Sequence, residues 1–401
     1  MKVLYILNAT SHLSGSFKSF MVLLDGLMQR GIEPILVVPK DNLQDYENLL
    51  RDKGLPVVSL LYKVHAWPHW QTWQEKLLFF PRLVGRLLFN CLAEYLLARR
   101  FQNEDIAFIH TNVSVIGIGY RLSRRLGIPH IYHIREYGDK DFGICHFPTS
   151  RTFTDSLRQA DSYSIFITRD IQQYYGLCGW PTSSVIYNGV HDRVEEMIYE
   201  ADKSYFLFVG PISRAKGIDQ LVEAYCNYAD RVNTMLPLYI VGDVVDLGLF
   251  SQLEILIRKN NIQDKVLFLG KRTDVELLMQ KACALVVPSV SEGFGRCMPE
   301  AMFNATLVIG RDTGGTKEQM DNGLKICGEE IALRYNTTEQ LTQLLTEVTE
   351  APKDKYNIMI GHAFDVVNQL YTNENYIDQV YGFYQEIAER CRYCHNLGNR
   401  R

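Results

Sequence analysis

Residues 284–302 read ALVVPSVSEGFGRCMPEAM, and this stretch decides the fold. The run from Ala284 ends in Pro288-Ser289 and has the length and apolar content of a buried strand. Downstream, Pro299 suits the first turn of a helix, where a missing N–H costs nothing. Between them lies Gly293-Phe294-Gly295. Strand, glycine loop and helix start follow one another, and such a loop offers backbone N–H groups to an anion. Two carboxylates, Glu292 and Glu300, bracket it.

The same alternation extends along the whole chain. Candidate strands in the first half are KVLYILN, EPILVVP, PVVSLL, IAFIHTN, HIYHIRE, YSIFIT and SVIYNG; in the second they are YFLFVG, PLYIVG, KVLFLG, ALVVPS and TLVIGR. Most are continuously apolar rather than alternating, as parallel strands covered on both faces must be. Helical periodicity falls between them, over 16–30, 117–126, 217–230 and 247–260. The pattern predicts an α/β chain of two doubly wound, Rossmann-like domains facing a central cleft. The expected boundaries are 1–190 for the first domain, 203–370 for the second and 371–401 for a tyrosine-rich terminal helix packing back towards the first. The polar, acidic stretch 191–204 marks the break.

Composition agrees with two globular cores. The 401 residues are 47% hydrophobic and 22% charged, with a formal net charge of −4, which gives no support to nucleic-acid binding. Nine scattered cysteines suit reduced thiols. The tail Cys391–His395 spells a haem-attachment sequence, read here as coincidence. No apolar run is long enough for a membrane span and the N-terminus reads as a strand, so the expected location is cytoplasmic. The charge is uneven, however. Residues 51–135 hold 12 Lys/Arg against 5 Asp/Glu. Within that region Trp67, Trp70 and Trp73 precede leucines and phenylalanines interleaved with Lys76, Arg82, Arg86, Arg99 and Arg100. Residues 67–101 are either an interfacial amphipathic segment for anionic lipid or a helix pair with snorkelling arginines.

The loops after strands carry the candidate chemistry. Lys216, after the strand ending at Gly210, stands beside a helix start, where an ammonium group adds to the helix dipole as a phosphate clamp; alone it reads as readily as a solvated loop lysine. Arg214 is a second cation there. With a diphosphate at the 299–305 helix, Glu300 could accept ribose hydroxyls and Glu292 sugar hydroxyls. In the first half, His133, Arg135 and Glu136 follow a strand; an Arg-Glu pair bracing a loop is the plainer account of the last two. Asp139-Lys140-Asp141 has the Asp-x-Asp spelling of a metal site, but no metal is expected.

These motifs, in this order, resemble the retaining nucleotide-sugar glycosyltransferases of the GT-B fold, specifically glycosyltransferase family 4, the group 1 glycosyltransferases. SEGFGRCMPEAM is similar to that family's paired-glutamate signature, VGPISRAKG to its phosphate loop, VIYNGVHD to the close of its first domain and TGGTKE to its late glycine loop. SHLSGSFKSFMVLLDGLMQRGIEPILVVP is similar to the opening of its acceptor domain. The sequence departs from the pattern at Pro211, where an arginine is usual, at Asn304, and at Gly15-Ser16, where paired glycines are common.

The resemblance implies a retaining, metal-independent transferase moving a sugar from a nucleoside-diphosphate sugar to a hydroxyl of a glycan or lipid-linked acceptor in surface polysaccharide synthesis. It implies catalytic roles for His133, Lys216 and Glu292, and acceptor contacts from Arg135 and Glu136. Donor contacts would come from Gly15, Ser16, Gly210, Arg214, Lys216, Glu292, Gly293, Phe294, Gly295, Met298 and Glu300. No cofactor beyond the donor is implied. The rivals are a nucleotide-sugar epimerase of the same fold and a non-catalytic nucleotide-sugar-binding subunit. An NAD-dependent oxidoreductase fits poorly, because LNATSHLSGS lacks the spaced glycines.

Overall fold

The computed structural model describes residues 1–8, 14–40, 50–69, 72–199 and 203–398. Trp70, part of the aromatic run, lies outside them, as do the side chains of 393–395 in the haem-like tail. The chain forms two compact units, one of Met1–Gly189 with Asn373–Arg401, the other of Val190–Thr372. The acidic stretch after Gly189 therefore belongs with the second unit.

The first unit is built on a parallel sheet of β1 (Lys2–Ile6), β2 (Glu33–Pro39), β3 (Val57–Leu60), β4 (Phe108–Thr111), β5 (His130–Ile134), β6 (Ser162–Phe166) and β7 (Ser183–Val185), in the order β3-β2-β1-β4-β5-β6-β7. The central strands β4, β5 and β6 are buried along their whole length, which is why their text is apolar without alternation. Helix Gly15–Gln29 begins at Ser14, whose hydroxyl accepts from the N–H of Phe17 and satisfies one of the donors a helix start leaves open. The terminal helix, Asn373–Gly398, returns to this unit. Its Tyr376, Ile377, Val380, Tyr384 and Ile387, at helical spacing, join Phe20, Leu24 and Tyr5 in one core.

The second unit has β8 (Tyr205–Val209), β9 (Leu238–Val241), β10 (Val266–Gly270), β11 (Ala282–Val287), β12 (Val308–Arg311) and β13 (Leu333–Tyr335), all parallel, in the order β10-β9-β8-β11-β12-β13. Twelve of the thirteen strands among the described residues coincide with the expected ones. The additional strand, β13, has only three residues. It is held at the sheet edge by Arg334, which bonds Asp312 at 3.0 Å, Asp321 at 2.6 Å and Glu330 at 2.8 Å.

In both sheets the strand order reverses direction once, between β1 and β4 in the first and between β8 and β11 in the second. Loops leaving adjacent strands diverge there and open a crevice at the carboxyl ends, where doubly wound sheets bind ligands. The ALVVPS stretch is β11, on one side of such a point.

Candidate functional site

In the second unit the loops after β8 and β11 face each other across the switch point. The β8 loop passes Gly210, makes a short 3-10 turn over Arg214–Lys216 and turns into helix Ile218–Ala229 at Gly217, with φ +65°. A Cβ at Gly217 would stand 2.0 Å from the carbonyl oxygen of Pro288. Only glycine gives both the left-handed turn and this backbone contact. The N–H of Val290 donates to the carbonyl of Ala215 at 3.1 Å, tying the two loops a second time. The result brings together groups 76 residues apart: Lys216 Nζ donates to Glu292 Oε2 at 2.6 Å, with the side chains 28% and 13% exposed.

The glutamate loop is braced from the next crossover. The N–H of Gly315 donates to the Glu292 carbonyl at 2.7 Å, and Gln319 Nε2 donates to the carbonyl of Phe294. Helix Gly314–Cys327 approaches so closely that a Cβ on Gly315 would meet the Gly293 oxygen at 2.7 Å and Phe294 Cα at 2.8 Å. Phe294 is buried, edge-on to Tyr371 at 5.5 Å. Helix Cys297–Phe303 follows, so Pro299 occupies its third position. Met298 is wholly buried, with its N–H taken by Gly295; the Met298 and Phe294 side chains belong to the core. Burial, with the Glu292 carboxylate second, pushes the Cys297 thiol up to about 12, which keeps it protonated rather than thiolate.

Glu300 accepts from Arg296 Nε at 3.2 Å, and Arg296 also reaches the Val190 carbonyl at 3.3 Å. Arg214 is exposed and bonds Gln252 at 2.8 Å and Asp219 at 3.5 Å. Beside the loop, Thr316 Oγ1 is buried with no hydrogen-bond partner among the described residues. Arg296 and Gln319 were not expected here, whereas Gly315 and Thr316 fall within the TGGTKE read as a late glycine loop. Only the repeated glycine in TGGTKE hinted at such an approach.

In the first unit, β5 delivers His133, Arg135 and Glu136. The Arg135 guanidinium is buried among neutral groups: Asn112 Oδ1 at 3.1 Å, Asn188 Oδ1 at 2.6 Å, the Tyr376 hydroxyl at 3.0 Å and His133 Nδ1 at 3.4 Å. A guanidinium can only donate, so His133 Nδ1 accepts and its ring proton sits on Nε2, which is buried with no partner among the described residues. Burial, reinforced by Arg135, holds His133 well below the usual histidine range. Glu136 turns one oxygen to the N–H and hydroxyl of Ser114, each at 2.7 Å, and the other to the N–H of Arg135. Its carboxylate thus braces the loop after β4, and burial raises its pKa. Gly15 and Ser16 form the first turn of helix Gly15–Gln29; residues 9–13 of the preceding loop lie outside the described set. Asp139 accepts from the Tyr174 hydroxyl at 2.6 Å, and Asp141 accepts from the Tyr137 N–H. Among the described residues no group of three or more His, Cys, Asp or Glu converges as a metal site would.

Comparison with known proteins follows the same lines. Residues 195–362 match the family described as Glycosyl transferases group 1. An uncharacterized glycosyltransferase of Methanocaldococcus jannaschii is 29% identical over 55% of this chain and 60% of its own length. The O-antigen chain mannosyltransferase RfbU of Salmonella typhimurium is 34% identical over 35% of this chain and 38% of its own. The chain thus spans 60% or less of the length of these relatives. In fold, the crystal structure of Anabaena Alr3699/HepE in complex with UDP and glucose aligns over 96% of this chain and all of its own, with a TM-score of 0.73 at 17% identity. The fold is that of the GT-B glycosyltransferases.

Proposed function

We propose that the protein is a retaining, metal-independent glycosyltransferase that moves a sugar from a nucleoside-diphosphate sugar to a hydroxyl of a glycan or lipid-linked acceptor, in surface polysaccharide synthesis. The observation that carries this reading is the Lys216–Glu292 contact at the switch point of the second sheet, 2.6 Å long and braced by two glycine approaches. An ammonium group there meets the charge that grows on a departing diphosphate, and stabilising that charge is the main work of such a site. Glu292 orients sugar hydroxyls, and Glu300, released from Arg296, takes the ribose. We assign His133, neutral with Nε2–H as its donor, to a sugar hydroxyl.

In the transfer, the bond from the anomeric carbon to the diphosphate oxygen breaks. The bond to the acceptor oxygen forms on the same face, and the acceptor proton passes to the leaving diphosphate. The names of the relatives support the substrate classes: one is a mannosyltransferase of O-antigen chains, and the Anabaena structure holds UDP and glucose. No helix among the described residues is long and apolar enough to cross a membrane. We place the enzyme in the cytoplasm at the inner face of the plasma membrane, in peripheral contact through residues 67–101.

The test is transfer itself. Radiolabelled nucleoside-diphosphate sugars, offered in the presence of EDTA with glycan and lipid-linked acceptors, should yield free nucleoside diphosphate and a labelled product whose anomeric coupling matches the donor. Interconversion of the donor without nucleotide release would establish the epimerase instead. Donor binding without turnover on any acceptor would favour the binding subunit.

A further inference from the structure

The helix Phe79–Phe101 carries apolar side chains that none of the described residues of its own unit covers. Phe80 is 72% exposed, Leu88 65%, Leu92 55% and Val84 52%, and Trp73 and Leu77 just before them are more than two thirds exposed. Val84, Leu88, Leu92, Tyr95, Arg99 and Gln102 recur at spacings of four, four, three, four and three, which keeps them on one face. At the C-terminal end of that face lies a depression of 360 Å³ lined by Tyr95, Ala98, Arg99, Gln102, Arg125 and Leu126. The Arg125 guanidinium lies 5.6 Å from the centre of the Tyr95 ring.

Cations outnumber carboxylates in this region, where Glu75, Glu94 and, just past the helix, Glu104 beside Arg100 and Asp105 are the acidic residues of 72–105. Lys76, Arg82, Arg99, Arg100 and Arg125 are exposed. Glu75, in the preceding short helix Trp73–Leu77, closes the capping box of Thr72, and Glu94 lies between Arg121 at 3.1 Å and Arg125 at 3.3 Å. A second copy of the chain is a poor occupant. Two such helices packed about a two-fold axis would set Lys76 and Arg82 against Arg99 and Arg100, and packed in parallel they would set like on like. A surface both apolar and anionic satisfies stripe and cations together.

We infer that this face docks on an anionic lipid bilayer, with the leucine stripe in the acyl boundary and a lipid phosphate in the Arg99–Arg125 depression. Guanidinium groups match phosphate oxygens bidentately. The inference deepens the membrane contact proposed above and rests on it, not on the transfer chemistry.

The experiment is flotation of the full chain with vesicles of phosphatidylcholine alone or with phosphatidylglycerol. Binding is expected only with the anionic lipid and should weaken as salt rises. Arg99→Gln/Arg125→Gln should lower the partition coefficient about 25-fold, since each arginine at an anionic surface is worth a factor of about five. A distant pair with the same charge loss, Arg258→Gln/Lys259→Gln, should leave it unchanged. If the double variant fails to fold because Glu94 loses Arg125, Arg99→Gln alone should still cost about five-fold. Absence of binding to phosphatidylglycerol at low salt would remove the membrane contact itself. Binding indifferent to Arg99 and Arg125, or equally weakened by the distant pair, would keep the contact and remove the phosphate site. Displacement by millimolar glycerol phosphate would reassign the depression to a soluble ligand.

Discussion

Gly315→Ala asks whether the placement of Glu292 against Lys216 depends on the close approach of the next helix. The new Cβ would stand 2.7 Å from the Gly293 oxygen, 2.8 Å from Phe294 Cα and 2.9 Å from the Phe294 oxygen, all backbone atoms. Cβ atoms essentially never come within 3.0 Å of such neighbours, so the loop must retreat by several tenths of an ångström. The Gly315 N–H to Glu292 carbonyl bond, now 2.7 Å, lies on that same loop and lengthens with it. Overpacking of this kind costs about 1–3 kcal/mol, which for a unit of this size lowers its melting temperature by about 2–4 °C per kcal/mol. Transfer should suffer more, because misplacing a reacting or positioning group by about 1 Å costs on the order of 100-fold. The expected result is a 10- to 100-fold drop in kcat/KM. The assay pairs initial rates with calorimetry, and Gly361→Ala, in helix Asn357–Leu370 with open space around it, is the control. That change should raise stability by about 0.5–1 kcal/mol and leave turnover alone. A Gly315→Ala enzyme with unchanged kcat/KM would refute the bracing of the glutamate loop.

Lys216→Ala should lower kcat by about 100- to 1,000-fold while donor affinity changes much less; equal losses in both, seen by single-turnover rates and titration calorimetry, would mean the lysine does no more than bind. Gly217→Ala combines a left-handed φ with a 2.0 Å backbone clash and should cost more than about 4 kcal/mol, read as a lost or early thermal transition; a wild-type transition would contradict the loop contact. Stability should also depend on pH through four buried histidines of the first unit and the half-buried His65. Burial holds His130 at about 3 and His65 and His146 at about 4, with His110 and His133 well below the usual range. Their folded pKa values are depressed, so the unfolded chain takes up protons first as pH falls below about 6.5. Each then removes up to about 1.4 kcal/mol per pH unit until its folded pKa is reached. The first unit's melting temperature should be flat above pH 7 and fall steeply between pH 6 and 4.5; a level profile there would mean the rings are protonated in the folded state.

Much of this was open to reading in the text. The twelve apolar strands and the Pro-Gly punctuation around Glu292 are local signals, because a buried parallel strand needs continuous apolar residues and a turn needs glycine. The three-residue β13 carried no such signal; its place depends on Arg334 and three carboxylates gathered from 312 to 330. Met298 and Phe294, expected to meet the donor, put their side chains in the core. Glu136 was legible only as one of two alternatives, and its bonds to Ser114 identify it as a loop brace.

What the sequence determined by itself is the alternation of strand and helix and the list of groups able to hold a diphosphate sugar, since periodicity and residue chemistry are properties of neighbours along the chain. Tertiary structure alone decided that Lys216 and Glu292 meet at 2.6 Å across 76 residues. It also decided that Tyr376, 241 residues away, seats the Arg135 guanidinium. Those contacts arise from strand order, and strand order is settled by which apolar faces bury against each other, a global competition that no local stretch encodes.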